Sequence, residues 1–215
     1  MRIVLVGAGG HAQVVADAVR VAAQHGSGWE LAGYVDDDPS LAGLRLIGAP
    51  VFGPIAALPS IPHDGVVIAI GDNTSRREVF GRLRARGEHL VTVRHPSSVL
   101  AADTQVGPGT LIAAGVVVNI GTAIGANVIL NTACSIDHHS RIGDHAHVGP
   151  GVHAGGGVTI GAAALVGIGA VVMPGRSIGD DAVVGAGACV TKSVPAGVIV
   201  VGVPARPFAS TGAHA

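Results

Sequence analysis

The sequence predicts a small α/β domain with a mainly parallel sheet at residues 1–94, followed by an all-β left-handed parallel β-helix and a C-terminal tail at residues 95–215. Three observations carry this prediction. An aliphatic residue recurs at every sixth position of the second part, a glycine-rich turn follows the first apolar run, and aromatic residues make up only 2% of the chain. A core with so few rings must be built from Val, Ile, Leu and Ala.

The hexapeptide repeat extends from Leu100 to about Pro195 and shows no phase break. Of the sixteen first positions from Leu100 to Val190, only Ala154 is not Ile, Leu or Val. This period is typical of a triangular β-helix, in which three hexads make one coil and each side chain stacks on the one eighteen residues away. Because no loop interrupts the repeat, we expect any active site on the outer face of the coils, where copies of the chain meet.

The N-terminal part alternates apolar runs with helical patterns, which is typical of a small Rossmann-like domain. The predicted strands are 2–8, 31–35, 65–70 and 89–93, and the predicted helices are 12–23 and 76–86. Turns at the carboxyl ends of parallel strands form the expected ligand crevice.

The run GAGGHA at 7–12 matches a dinucleotide fingerprint, and acidic residues follow the second strand. A domain of this size is too small for both halves of a dinucleotide fold, which favours a mononucleotide or a nucleotide-sugar over NAD. The N–H groups expected to meet phosphate at the helix N-terminus are those of Gly9, Gly10 and His11. Asp36 or Asp37 is expected to accept hydrogen bonds from a base or ribose. Alternatively, the glycines only form a tight turn.

Five of the eleven histidines lie within sixteen residues of the repeat, namely His138, His139, His145, His147 and His153. Gly156 follows His138 by eighteen residues, so it should stack directly over that histidine, one strand away. A basic imidazole and a bare backbone N–H then face the same space. This pairing suits acyl transfer from a thioester without an acyl-enzyme: His138 takes the proton of the nucleophile, and the Gly156 N–H stabilises the oxyanion.

Two other interpretations of the histidines stay open. They could be solvated residues of the outer face, or they could bind zinc as in hexapeptide enzymes of the carbonic anhydrase type. The zinc hypothesis leaves the N-terminal domain unexplained, and we expect no metal. Cys134 occupies an inward, small-residue position of the repeat, which predicts a buried, inert thiol.

Composition excludes several classes of function. The formal net charge of −1 gives no electrostatic footprint for nucleic acid. The sequence contains no run of eighteen consecutive apolar residues, so it predicts no membrane-spanning helix. Two cysteines are too few for a disulfide framework, and the start MRIVLVGAGG lacks the features of a secretory signal, so we expect a cytoplasmic protein.

Six short motifs together resemble those of the NeuD/PglD-type sugar acetyltransferases, in the nucleotide-sugar N-acetyltransferase branch of the hexapeptide-repeat, left-handed β-helix acyltransferase superfamily. They are GAGGHA at 7–12, VDDD at 35–38, AIGDN at 69–73, HPS at 95–97, NT at 131–132 followed by Asp137-His138, and VGVPAR at 201–206.

The resemblance implies a homotrimer with active sites between subunits, which acetylates a nucleotide-linked 4-amino-dideoxy sugar for O-antigen, capsule or glycoprotein glycan synthesis. It places the sugar nucleotide in the N-terminal domain, acetyl-CoA on the β-helix and the general base on His138. The implied substrate contacts are Gly9, Gly10, His11, Asp36, Asp37, Gly71 and Asn73. The implied CoA contacts are His147, Gly156, Ile168 and Ala186.

One position departs from the family pattern. His139 stands where an acidic residue usually follows the base, so a carboxylate that would orient His138 has to come from elsewhere, and Asp144 is our candidate. Two alternative functions stay open. One is sugar O-acetylation of the sialic-acid type, and the other, which His139 favours, is a non-catalytic trimer that binds nucleotide-sugars.

Overall fold

The computed structural model describes residues 1–208. It begins with a three-stranded parallel sheet in which the strand Arg2–Val6 lies between the strands Glu30–Val35 and Gly65–Ile68. The N-terminal elements are β1 (Arg2–Val6), α1 (Gly10–Gln24), β2 (Glu30–Val35), β3 (Arg45–Leu46), β4 (Ala49–Pro50), β5 (Gly65–Ile68) and α2 (Asn73–Ala85), with short 3₁₀ helices at Pro39–Leu41 and Ile55–Ser60. The predicted α/β domain with a parallel sheet is confirmed.

The prediction of a fourth full strand at 89–93 is wrong. Leu90 makes a single bridge to Val66, and the chain then leaves the sheet. The reason is burial, because Val91 and Val93 pack with Leu111 on the outside of the β-helix. The strand predicted at 2–8 also ends early, at Val6.

The rest of the described chain is a β-solenoid whose strands, of two residues each except for the three-residue Ile199–Val201, form three faces. Face 1 comprises Val93–Arg94, Leu111–Ile112, Ile129–Leu130, His147–Val148, Leu165–Val166, Val183–Val184, Ile199–Val201 and the antiparallel Arg206–Pro207. Face 2 comprises Val99–Leu100, Val117–Val118, Ser135–Ile136, His153–Ala154, Val171–Val172 and Cys189–Val190. Face 3 comprises Gln105–Val106, Ala123–Ile124, Arg141–Ile142, Thr159–Ile160 and Ser177–Ile178. The predicted β-helix is therefore confirmed.

Strand pairing follows the eighteen-residue repeat for most of the solenoid, as in the pair Ile136↔Ala154. The last coil is different. Ile178 bridges to Val194 and Val183 pairs with Ile199, each sixteen residues on. The expectation of an unbroken phase up to Pro195 is therefore wrong, because two residues are omitted after Val190.

The interior of the solenoid is a column of Ile, Leu, Val, Ala and Cys side chains. The burial of this apolar surface stabilises the solenoid. Face 1 carries the N-terminal domain, since Leu111 and Ile129 point outward into a cluster with α1 and the sheet. The strand Val93–Arg94 opens face 1 and pairs with Leu111–Ile112. The domain boundary at residue 94 stays a prediction.

Candidate active site

The turns between successive faces form three corners, and His138 lies at the corner between face 2 and face 3. Gly156 occupies the same place one coil later. A Cβ built on Gly156 would lie 2.4 Å from His138 Cε1 and 2.5 Å from His138 Nε2, so the imidazole fills the space that a side chain would need. The eighteen-residue register therefore brings this predicted pair into contact, while their catalytic roles stay predictions.

The backbone N–H of Gly156 makes no hydrogen bond with the described part of the chain, whereas the N–H of Gly157 donates to the His138 carbonyl at 2.8 Å. The hydrogen bond from Gly157 to His138 fixes the distance between these two successive turns of the same corner. A free N–H beside an imidazole is the combination that acyl transfer needs, since one group moves the proton and the other meets the oxyanion.

His138 finds its ring partner in the next residue. The Nδ1 atoms of His138 and His139 lie 3.0 Å apart, with the rings edge to face at an interplanar angle of 78°. A second glycine makes room for this arrangement, because a Cβ on Gly121 would lie 2.7 Å from His139 Cδ2. The two rings thus lie between glycines of the coils on either side.

The carboxylates near this corner have other partners. Asp137 Oδ1 accepts from the backbone N–H of His138 and from Asn119 Nδ2, both at 2.8 Å, and these bonds lower the Asp137 pKa. Asp144, our candidate for orienting His138, lies at the following corner and accepts from the Ala126 N–H at 2.8 Å. The structure therefore does not bring the Asp144 carboxylate to the His138 ring.

The other histidines of the cluster point to different sides of the solenoid. His145 lies at the corner between faces 3 and 1, His147 is on face 1 and His153 is on face 2. His153 Nδ1 lies 2.8 Å from Ser135 Oγ. Across residues 1–208, no three His, Cys, Asp or Glu side chains are grouped as metal ligands would be. The sequence clustering is thus not a spatial cluster.

A buried arginine that the sequence analysis missed joins the two parts of the chain. Arg76 on α2 is only 1% exposed. Its guanidinium donates to the carbonyl oxygens of Asn127 and His145 on the solenoid and of Gly71 on the N-terminal domain. Burial lowers the Arg76 pKa to about 10, so the group stays charged at neutral pH. The N-terminal domain is therefore held against face 1 by a cation.

Gly71 and Asn73, two of the predicted substrate contacts, belong to the same junction. Asn73 Nδ2 donates to the Ala163 carbonyl at 2.8 Å, and its Oδ1 accepts from Arg76 at 2.7 Å. The Gly71 carbonyl accepts from Arg76 at 3.0 Å. Both residues border a cavity of about 400 Å³ between the domain and face 1, which His147 also lines.

His147 and His11 meet at this junction, with ring centroids 6.3 Å apart. His147 Nδ1 lies 3.2 Å from the Gly71 carbonyl, and its Nε2 lies 3.2 Å from Asn131 Nδ2. The carbonyl can only accept, so Nδ1 carries the proton and Nε2 accepts. Burial, then the nearby Arg76, lowers the His147 pKa to about 4. This fully bonded, neutral ring is engaged at the domain junction.

His11 is the second residue of α1, and its ring has a polar atom without a partner in the described residues. Its Nε2 is buried and has no hydrogen-bond partner in the described chain. Burial, and then the charge of Arg76, lowers the His11 pKa. A neutral imidazole with an unused nitrogen is a ready hydrogen-bonding group for a ligand.

The glycine turn before α1 is open. Gly9 is the N-cap and Gly10 is the first helical residue, and Cβ atoms built on either would meet nothing within 4 Å. Gly7, in contrast, has φ of 111° and packs against the Ala69 carbonyl, so it is required for the turn itself. The free N-terminus of α1 suits an anion.

Asp36 and Asp37 point in different directions. Asp36 accepts from the N–H groups of Ala8 and Asp38, at 2.7 and 2.9 Å, and so closes the glycine turn. Asp37 accepts from the Ile55 N–H at 2.8 Å. Each carboxylate has a structural bond on one side and leaves further lone pairs for a ligand.

Ile168 and Ala186, predicted to line the CoA groove, stack at the corner between faces 1 and 2. Ile168 is 63% exposed. His138 is at the next corner, between faces 2 and 3. Within one chain, Ile168 and Ala186 therefore lie on a different edge of the prism from the predicted base, whereas Gly156, also predicted to contact CoA, lies beside His138.

The β-solenoid with exposed corner chemistry and a fused α/β domain defines a class, the hexapeptide-repeat acyltransferases. Comparison with known proteins narrows this class. Residues 2–83 match the family model described as the PglD N-terminal domain. The chain is 37% identical to perosamine N-acetyltransferase of Caulobacter crescentus, solved as a histidine-to-asparagine variant in complex with CoA and GDP-perosamine, with 98% of each chain covered and a TM-score of 0.91.

Two further solved structures are similar to this chain. The acetyltransferase domain of PglB from Neisseria gonorrhoeae, in complex with acetyl coenzyme A, is 30% identical over 96% of this chain and 98% of that chain, with a TM-score of 0.87. WeeI from Acinetobacter baumannii is 31% identical over 97% of this chain and 100% of that chain, with a TM-score of 0.84. A 38-residue stretch is 50% identical to a Schizosaccharomyces pombe protein named as an acetyltransferase, but it spans 18% of each chain and carries no argument about the whole protein.

The chain belongs to the sugar N-acetyltransferases of the hexapeptide-repeat, left-handed β-helix superfamily that carry a PglD-type N-terminal domain. The family resemblance predicted from the motifs is confirmed, and the protein is an acetyltransferase.

Proposed function

We propose that the protein transfers the acetyl group of acetyl-CoA to the amine of a nucleotide-linked 4-amino-dideoxy sugar. The amine nitrogen attacks the thioester carbonyl directly, while His138 Nε2 takes the amine proton. The Gly156 N–H stabilises the oxyanion, and collapse of the tetrahedral intermediate expels the CoA thiolate, which His138 reprotonates. The observation that carries the proposal is the contact between the His138 ring and Gly156, whose N–H has no hydrogen-bond partner within residues 1–208.

The relatives support the choice of substrates. One is a perosamine N-acetyltransferase bound to CoA and GDP-perosamine, a nucleotide-linked amino sugar, and another is bound to acetyl coenzyme A. Variants of the Caulobacter enzyme with one histidine replaced by asparagine or alanine hold both CoA and GDP-perosamine. We therefore expect acetyl-CoA as the cosubstrate and a GDP-, UDP- or dTDP-linked amino sugar as the acceptor.

In this proposal the N-terminal domain holds the nucleotide. The open N-terminus of α1, at Gly9 and Gly10, offers unpaired N–H groups to the diphosphate. The free Nε2 of His11 and the remaining lone pairs of Asp36 and Asp37 are the polar groups available for the sugar, ribose or base.

The proposed assembly is a homotrimer with active sites between subunits. One chain keeps Ile168 and Ala186 on a different corner from His138, so a second copy must supply the CoA groove beside the base. Exposed apolar side chains on and around face 2, among them Ile120, Val171 and Met173, are suited to contact such a copy. No helix in residues 1–208 is long and apolar enough to cross a membrane. We place the reaction in the cytoplasm, in O-antigen, capsule or glycoprotein glycan synthesis.

The test is a turnover assay with product detection. The purified chain is incubated with acetyl-CoA and, in turn, GDP-perosamine, UDP- and dTDP-linked 4-amino-dideoxy sugars, and sialic acid, and the products are analysed by mass spectrometry. We expect an acetylated amino sugar, and loss of about 10² to 10⁴ of the rate in His138→Ala. Acetylation of sialic acid alone would favour the O-acetyltransferase. Binding of nucleotide-sugars without any acetylation would favour the non-catalytic trimer. Full rate in His138→Ala would refute the mechanism.

The same preparation tests the assembly. Sedimentation or light scattering is expected to give three times the mass of one chain. Equal mixtures of inactive His138→Ala and inactive Ile168→Glu chains are expected to regain activity only if one active site draws on two subunits.

A further inference from the structure

The contact between His138 and His139 limits which hydrogens the two rings can carry. Their Nδ1 atoms are 3.0 Å apart, which is a hydrogen-bond distance. Two Nδ1–H groups would repel each other and two bare nitrogens would share no hydrogen, so one ring donates and the other accepts.

The direction of this bond decides whether His138 can act as a base. If His138 Nδ1 donates, its Nε2 keeps a lone pair on the side of Gly156. If His139 Nδ1 donates, His138 Nε2 carries the hydrogen and cannot take another. Only the first arrangement leaves an accepting nitrogen beside the free Gly156 N–H.

In the described residues, the His139 ring has no hydrogen-bond partner other than His138 Nδ1, so no other group prevents His139 from accepting. Its Cδ2–Nε2 edge rests on Gly121, whose N–H in turn donates to the Asp103 carboxylate at 2.8 Å. The Asp103 carboxylate is thus held at Gly121 and is not a hydrogen-bond partner of either ring in the described residues. Asp137, the other nearby carboxylate, is bonded to the His138 backbone N–H and to Asn119 instead.

The backbone of His139 is also set up for this contact. His139 has φ of 57°, in the left-handed region, and the equivalent residues of the neighbouring coils are Gly121, Gly157 and Gly175, all with φ of 67 to 69°. A histidine in this conformation costs roughly 1 kcal/mol relative to glycine. Other corner residues of the solenoid, such as Ala133 and Ala163, have the same left-handed backbone, so this conformation is a general property of the corners.

We propose that His139 is the positioning residue of His138. As a neutral imidazole, His139 accepts the His138 Nδ1–H at its own Nδ1. It thus takes the place of the acidic residue that usually follows the base in the family pattern. The inference rests on the proposed function of His138. The hydrogen bond persists when His138 Nε2 gains a proton, and it is then charge-assisted, so His139 also stabilises the imidazolium. No proton has to move onto His139.

The test uses two substitutions that both suit a left-handed backbone. His139→Gly removes the acceptor, and His139→Asn keeps a short side chain with an accepting oxygen. With acetyl-CoA and the amino sugar that the chain turns over, we expect kcat to fall about 10- to 100-fold in His139→Gly, with KM values within about twofold. His139→Asn is expected to restore kcat to within about fivefold of the unchanged chain.

A double-mutant cycle separates positioning from a purely structural effect. In a His138→Ala background, His139→Gly is expected to cause no further loss, because His139 acts only through His138. Equal losses in both backgrounds would refute the proposal. His145→Gly is the matched control, since His145 is also a corner histidine with a left-handed backbone, φ 63°. It is expected to leave kcat within about twofold.

Ring ¹⁵N spectra of the whole chain, with histidine labelled, read the tautomers without any substrate. We expect His138 in the Nδ1–H form, changing to a tautomer mixture in His139→Gly. A His138 ring already in the Nε2–H form would overturn the inference. Loss of rate in His138→Ala with no effect of His139→Gly would refute this inference alone, whereas the expected spectra without acetylation of any amino sugar would refute the proposed function alone.

Discussion

Replacing Gly156 by alanine tests the proposed active-site corner directly. The added Cβ would lie 2.4 Å from His138 Cε1, and ordinary contact begins near 3.4 Å, so the ring must move by about 1 Å. A displacement of this size at a catalytic group costs on the order of 10²-fold in rate, or about 2.7 kcal/mol of transition-state stabilisation. We expect kcat to fall by about this factor.

Stability should change little in the same variant. His138 is exposed, so its ring can swing into solvent. Gly156 does not have a left-handed backbone, so alanine adds no strain there. The free energy of unfolding is therefore expected to stay within about 0.5 kcal/mol.

The next residue provides the matched control. Gly157 has φ of 67° and no atom within 4 Å of its Cβ position. Gly157→Ala should therefore cost about 1–2 kcal/mol of stability while leaving the His138 ring in place. The two variants are compared by steady-state acetylation kinetics and urea unfolding. Full activity in Gly156→Ala, or equal kinetic losses in both variants, would refute our assignment of the corner.

Three further predictions concern stability and reactivity. Arg76→Met leaves several buried carbonyl oxygens without a donor and should lower the urea-unfolding free energy by about 3 kcal/mol; a loss under about 1 kcal/mol would contradict the role of Arg76 at the junction. Because the folded-state pKa of His147 is about 4, below the ordinary 6.5, the unfolded chain takes up the proton first as the pH falls. Stability should thus drop by up to about 2.5 kcal/mol between about pH 7 and about pH 4.5, and an equal drop in His147→Gln would contradict this. Burial raises the Cys134 pKa to about 12, so iodoacetamide should modify Cys134 only after unfolding, which peptide mass mapping detects.

Period and register account for most of what the sequence could predict. An eighteen-residue coil follows from six-residue spacing, and it alone places Gly156 over His138. The same arithmetic explains why the other histidines do not join them: His145, His147 and His153 are not whole coils away from His138, so they belong to other corners and faces. Asp144 follows His138 by six residues, or one third of a coil, and so lies at the next corner. Proximity along the chain therefore does not bring its carboxylate to the His138 ring.

Arg76 could have been found from the sequence by its helical spacing. It precedes Val79, Phe80 and Leu83 by three, four and seven residues, and therefore lies on the buried stripe of α2. A cation on an apolar stripe has to find acceptors, and here these are carbonyl oxygens of the solenoid. The acceptor role of His139 had no such signal, because it depends on a left-handed corner backbone and on the direction of two rings.

The junction and the proposed catalytic corner together impose a geometric requirement on the enzyme. Arg76 and Asn73 fix the N-terminal domain to face 1, while His138 projects from the opposite corner, between faces 2 and 3. A sugar held at the N-terminus of α1 therefore has to meet a His138 supplied by a neighbouring copy, unless the nucleotide-sugar spans the prism. If the trimer proposal is right, weakening the junction with Arg76→Met should raise the KM of the sugar nucleotide more than that of acetyl-CoA, because that proposal places the CoA groove on the β-helix. Equal effects on both KM values would contradict this division of binding between the two parts of the chain.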